Sequence, residues 1–151
     1  MKRLLSWLPP VLWMAAILVF SSSQFAAGNT GGFLEHLLRW FVPSITRVQV
    51  WKVNAALRHV AHVTIYGVLA GLWLRAFLRE RVLPVTTAAW AALAISVAWA
   101  CVDELYQTTV PTRSGSAMDV VLDSAGAVVA LIVAGAARRW NARSERVLQA
   151  R

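Results

Sequence analysis

The chain has 151 residues, 58% of them hydrophobic, with a mean hydropathy of +0.57 and a formal net charge of +8, too apolar for an ordinary soluble domain and too short for two. A single cysteine, Cys101, excludes an intramolecular disulfide and any CxxC metal or redox motif, and reads as a small apolar packing residue. The basic residues cluster beside apolar segments, where anionic lipid headgroups rather than nucleic acid are the expected partners.

Runs of membrane-spanning length, about 20 apolar residues, fall at 4–22, 60–78, 84–104 and 119–137. The first begins like a signal peptide with Lys2-Arg3, but Gln24-Phe25-Ala26-Ala27 lacks the small-x-small cleavage pattern, so a retained anchor is expected. Pro9 and Pro10 suit its first turns, where a missing amide donor costs little. Of the Lys and Arg residues, Lys2, Arg3, Arg75, Arg79, Arg81, Arg138, Arg139, Arg143, Arg146 and Arg151 fall on one side, against Arg39, Arg47, Lys52, Arg58 and Arg113 on the other. Cytoplasmic flanks collect such charges, so both termini are expected in the cytoplasm of a multi-pass protein, with a tight turn around Arg79-Glu80-Arg81 joining the second and third spans.

The outer loop, 25–57, carries Phe33, Leu34, Leu37, Leu38 and Phe41 at helical spacing opposite Glu35 and Arg39, after an Asn29-Thr30-Gly31-Gly32 turn. That pattern predicts a helix lying in the membrane interface, able either to cover a site or only to anchor the loop. After Pro43, with Ser44 as N-cap, Ile45, Val48, Lys52 and Ala55 continue a weaker stripe. A cytoplasmic tail, 138–151, follows the fourth span. The expected fold is thus an all-α membrane protein, four transmembrane helices in a bundle forming one domain with an outer interfacial helical loop.

Four polar stretches would then converge at the outer boundary: Ser21-Ser22-Ser23-Gln24, Arg58-His59 through His62 to Tyr66, Asp103-Glu104 through Gln107 to Arg113, and Asp119 with Asp123. Polar groups near lipid are costly and mark a functional site by default. On helices, His59 and His62, His62 and Tyr66, Asp103 and Gln107, and Asp119 and Asp123 each share a face. His62, Asp103, Glu104 and Asp119 offer nitrogen and oxygen ligands for a divalent metal, without any established metal spacing. Alternatively, the carboxylates can work with His62 as acid and base. Arg58, Arg113, His59 and His62 can also bind an anionic headgroup or a peptide carboxylate. The structural alternative has the arginines neutralising the acids in an ion-pair network, which leaves two of the four acids over.

Smaller signals fit packing. Gly67, Gly71, Gly126 and Gly135 permit close helix approach, Gly67 and Gly71 as a small-xxx-small pair. The eight tryptophans read as interface anchors and lipid-facing bulk, with Trp99 one turn from Asp103 and able to line the site. No phosphate-binding glycine loop, nucleophile elbow, dinucleotide fingerprint or repeat is present.

In order and spacing, Leu57-Arg58-His59-Val60-Ala61-His62-Val63-Thr64-Ile65-Tyr66, Asp103-Glu104-Leu105-Tyr106-Gln107, Val110-Pro111-Thr112-Arg113 to Asp119, and Asp123-Ser124-Ala125-Gly126 resemble the VanZ-like family, as does Ser22-Ser23-Gln24. The resemblance covers nearly the whole chain. It implies a small bacterial plasma-membrane protein, of a family named for a member associated with low-level teicoplanin resistance, and supplies no reaction. Carried over by position, the family's recurrent polar residues match Arg58, His62, Tyr66, Asp103, Glu104, Gln107, Arg113, Asp119 and Gly126. Departures are His59 for a usual lysine, Ile65 for a frequent glutamate, Thr112 for glycine and Asp123 for asparagine. Because glycopeptides act outside the membrane on cell-wall precursors, the resemblance points to a lipid-linked precursor or polyprenyl phosphate as ligand. On that expectation Arg58, His59, Tyr66, Gln107, Arg113 and Asp123 bind it, and any catalysis falls to His62, Asp103, Glu104 and Asp119.

Overall fold

The structure, a computed structural model, describes residues 4–25, 27–113 and 115–149. Lys2, Arg3 and Arg151, used above for orientation, and Ala26 of the stretch tested for cleavage lie outside the described residues. The elements are α1 (Leu8–Phe20), α2 (Ala27–Phe41), α3 (Arg47–Arg79), α4 (Val85–Thr108) and α5 (Ala117–Gln149). Single 3₁₀ turns at Leu4–Ser6 and Ser23–Phe25 flank α1.

Among the described residues three helices, α3, α4 and α5, are long and apolar enough to cross a membrane, rather than the four expected. The helix in the first run has 13 residues and so rises only about 20 Å. Pro9 and Pro10 sit in its opening turn as anticipated, and the helix starts only at Leu8. The other helices extend beyond the apolar runs. α3 begins at Arg47, well before 60, because Lys52, Asn54 and Arg58 interrupt the apolar run without breaking the helix. Its N-cap is Thr46, not Ser44: the Thr46 hydroxyl accepts from the Gln49 amide at 3.3 Å while Gln49 Oε1 accepts from the Thr46 amide at 2.9 Å, a reciprocal capping box. α4 continues past 104 to Thr108, and α5 runs through the expected tail to Gln149. α2 begins at Ala27, so the backbone of Asn29-Thr30-Gly31-Gly32 is helical rather than a turn.

The Arg79-Glu80-Arg81 turn is present. α3 closes in a Schellman arrangement, with the Val82 amide donating to the Phe77 carbonyl and Arg81 to Leu78, and this puts Arg81 at φ 53, a conformation usually given to glycine.

Alanines occupy much of the interior, beside a few large side chains such as Ile17, Tyr66 and Leu69, and many large apolar residues lie on the outside. Ala88, Ala92, Ala100 and Ala127 are fully buried, whereas Val121, Val129, Ile132 and Val133 of α5 are more than half exposed. That distribution suits lipid, where helices associate by close backbone packing rather than by hiding large side chains from water. Cys101 belongs to the exposed set, not to the core.

α3 and α5 run parallel and meet most closely at glycine: a Cβ on Gly126 would lie 2.8 Å from Val63 Cα, and one on Gly67 would lie 3.2 Å from the Gly126 carbonyl oxygen. Gly71 and Gly135 face open space, so the small-residue pair is used only at Gly67. α1 and α4 run opposite to this pair. Indole groups pin α1 in place, since Trp13 Nε1 donates to the Ile65 carbonyl at 3.0 Å and Trp99 Nε1 to Met14 at 3.3 Å. At the far end Trp7, Trp73 and Phe77 cluster with ring centroids 5.4–6.0 Å apart, Trp73 stacked on Phe77 and Trp7 edge-on to Phe77. Several tryptophans are therefore packing residues, while Trp40, Trp51, Trp90 and Trp140 stay exposed.

Candidate functional site

The C-terminal ends of α1 and α4 and the N-terminal half of α3 and first turns of α5 gather at one end of the bundle. All four polar stretches meet there. Asp103, Gln107 and Asp123 are at most 1% exposed and Glu104 is 6% exposed, so this is a buried cluster rather than a solvated rim.

His62 and Asp123 bridge α3 and α5, with Nδ1 and Oδ1 3.0 Å apart. Helical spacing on α4 pairs Gln107 with Asp103, as expected: Gln107 Nε2 donates to Asp103 Oδ2 at 3.2 Å and to Ser21 Oγ at 3.3 Å, tying α4 to the end of α1. Tyr66, fully buried, faces the Asp103 carboxylate. Glu104 Oε2 accepts from the Ser116 amide at 2.5 Å. That contact depends on Gly115, where a Cβ would lie 2.6 Å from Thr108 Cγ2 and 2.7 Å from the Glu104 carbonyl oxygen. Arg113, in the α4–α5 connection, donates through Nη2 to the carbonyls of Phe20 at 2.7 Å and Ser22 at 3.4 Å, closing the C-terminus of α1. Burial and then the neighbouring Arg58 charge pull its guanidinium below the usual range, opposed by Asp103, Glu104 and Asp119; an arginine so placed remains a cation.

Two cavities open on this cluster. The larger, about 460 Å³, has mainly apolar walls, among them Ile17, Phe20, Phe33, Leu34 and Leu57, and ends at Arg58, His62, Tyr66, Asp103 and Arg113. The smaller, about 260 Å³, is polar and lined by Trp51, Arg58, His59, His62, Arg113 and Asp119 among others. Asn54, Arg58, His62 and Arg113 line both. α2 thus contributes to a cavity wall through Phe33 and Leu34, as a covering segment would.

Of the residues singled out from sequence, His62, Asp103, Glu104, Gln107 and Asp123 form the buried cluster, Tyr66 its apolar edge, and Arg58, Arg113, half-buried Asp119 and exposed His59 the cavity side. Trp99 does not line either cavity; its indole is committed to Met14. Among the described residues, one ligand atom from each of His62, Glu104 and Asp123 lies within 4.8 Å of the others. That group includes Asp123, while Asp103 and Asp119 fall outside it. Ser21, Asn54 and the Ser116 amide were not singled out as site residues. Ser21 lay in a noted polar stretch, but a backbone amide has no signature in sequence.

Helices long and apolar enough to cross a membrane, around a buried cluster of acids and a histidine with arginines beside it, fit a helical membrane protein with a polar cluster at one end of its bundle. Residues 7–138 match the VanZ/LLP1 family model, and the chain belongs to that family. No curated protein and no solved structure matches the chain.

Proposed function

We propose that this protein binds an anionic, phosphate-bearing lipid of the bacterial cell envelope, in the plasma membrane and with both termini cytoplasmic. The observation that carries this reading is the junction of an apolar cavity and a polar one at Arg58, His62 and Arg113. An amphiphile matches both compartments: its hydrocarbon chain lies along Phe33, Leu34 and Leu57, and its headgroup meets two guanidinium forks, which suit phosphate. A volume of about 460 Å³ accommodates part of a lipid chain, the rest remaining in the bilayer. α1 crosses the membrane as a short fourth helix, and α2 lies in the outer interface with Trp40 and Phe41 outward. A lipid-linked cell-wall precursor or a polyprenyl phosphate has the required chemistry, and a contribution to teicoplanin tolerance follows if the precursor is the ligand.

Native mass spectrometry of the purified protein tests the reading directly. A phospholipid or polyprenyl phosphate retained by the wild type and lost in Arg58→Ala and Arg113→Ala supports it. Wild-type protein that is folded and free of lipid, even after polyprenyl phosphate is added, contradicts it.

The His62–Asp123 contact favours a second reading, a hydrolase or transferase acting on the same lipid phosphate, because a carboxylate that orients an imidazole is a common acid-base arrangement. Turnover lost in Glu104→Gln would select it. A structural or accessory role is the outcome if Arg113→Ala and Glu104→Ala leave both fold and phenotype intact.

A further inference from the structure

We infer that His62, Glu104 and Asp123 form a binding site for one divalent first-row cation of the Zn²⁺ or Mn²⁺ type. The three ligand atoms come from three different helices, α3, α4 and α5, and lie within 4.8 Å of one another. On a small cation with ligand bonds of about 2.0–2.2 Å, ligand atoms stand about 3–4.4 Å apart. Side-chain adjustments of up to about an ångström close the observed spread onto such an ion. The 3.0 Å separation of His62 Nδ1 and Asp123 Oδ1 has the length of a hydrogen bond and equally of the edge between two ligands on one ion.

Independent support comes from the carboxylates' second oxygens. Glu104 Oε2 is held by the Ser116 amide and Asp123 Oδ1 by His62, but among the described residues Glu104 Oε1 and Asp123 Oδ2 are buried without a hydrogen-bond partner. Leaving a buried acceptor unpaired costs about 1–3 kcal/mol, more when it is charged. A dication held by these two carboxylates and His62 would give their unpaired oxygens a counter-charge and offset the excess of carboxylates over arginines in the cluster. The donor set restricts its identity. An imidazole disfavours Ca²⁺ and Mg²⁺, and two carboxylates without thiolate disfavour Cu⁺, which leaves borderline first-row dications.

Three protein ligands leave coordination positions open, so the ion can also accept a phosphate oxygen. That last step rests on the lipid-binding reading proposed above; binding of the cation by itself does not. The full-length protein, stripped with chelator in detergent, is dialysed against ZnCl₂ or MnCl₂, and bound metal is counted by mass spectrometry while calorimetry gives the affinity. One cation per chain is expected, with affinity reduced about tenfold or more in Asp123→Asn and in Glu104→Gln. His36→Ala, on the exposed side of α2, should bind as the wild type does. Circular dichroism identifies a variant that fails to fold, and in that event the wild-type Mn²⁺ complex is read by electron paramagnetic resonance for coupling to an imidazole nitrogen. Saturable binding with that coupling supports the site. Absence of saturable binding, or equal affinity in folded variants and wild type, overturns it. Cation binding without retained lipid, or the reverse, separates the two readings.

Discussion

His62 on α3 and Asp123 on α5 meet at 3.0 Å one helical turn from the place where the Val63 backbone presses on Gly126. Asp123 and Gly126 are three apart and share a face of α5, as His62 and Val63 are neighbours on α3. The absent Cβ at Gly126 therefore sets the distance between the two helices that the His62–Asp123 contact spans.

Gly126→Ala should push the helices apart, destabilise the protein by about 1–3 kcal/mol and lengthen the His62–Asp123 contact. Gly135→Ala, facing open space on the same helix, should be neutral or stabilising by roughly 0.5–1 kcal/mol. Thermal unfolding in one detergent compares them, and equal effects would remove the special role of Gly126.

Removing one partner of the buried pair is expected to cost more than removing both. His62→Leu leaves the Asp123 carboxylate fully buried without its imidazole, a loss of about 3–5 kcal/mol. His62→Leu combined with Asp123→Leu should recover much of that. A double-mutant cycle on unfolding free energies measures the coupling, and strictly additive losses would show that the two residues do not interact.

Arg113 fastens the end of α1 through the Phe20 and Ser22 carbonyls. Arg113→Ala should loosen that end by about 1.5–3 kcal/mol, the range for hydrogen bonds to a charged group. Arg113→Lys, which keeps the charge but not the fork, should recover part of the loss. Faster hydrogen exchange at the Ser21 and Ser22 amides, with the α3–α5 core unchanged, is the expected signature. Uniform acceleration would instead indicate global destabilisation.

Arg81 adopts a left-handed conformation that costs a non-glycine residue about 1–2 kcal/mol. Arg81→Gly relieves this but gains unfolded-chain entropy, so a net stabilisation below about 1 kcal/mol is predicted. A lower unfolding temperature would mean that the Arg81 side chain contributes more than its backbone conformation costs.

The convergence of the polar stretches was legible because helical spacing and apolar flanks together fix which residues share a face and a level. Asp103 with Gln107 is the clearest case. Helix ends were less legible, for hydropathy reports contact with lipid and not continuity of hydrogen bonding; hence α3 extends through Lys52 and Arg58 to a capping box at Thr46. Partner choice was least legible. Gly71 looks like Gly67 in sequence, and only the path of α5 decides that one is needed. Likewise Asp123, rather than Asp119, reaches His62 because of where α5 crosses α3.

The 13-residue α1 is the short member of a bundle whose other apolar helices exceed 20 residues. A bilayer core of about 30 Å, which α3, α4 and α5 are long enough to cross, is thicker than the rise of α1 by roughly half. On the proposal that α1 crosses as a short fourth helix, lipid would have to thin locally beside it, or the helix draw polar chain inward at Ser21 and Ser22. Membrane thickness would then act first on the helix end that Arg113 holds, making acyl-chain length a direct lever on the geometry of the site.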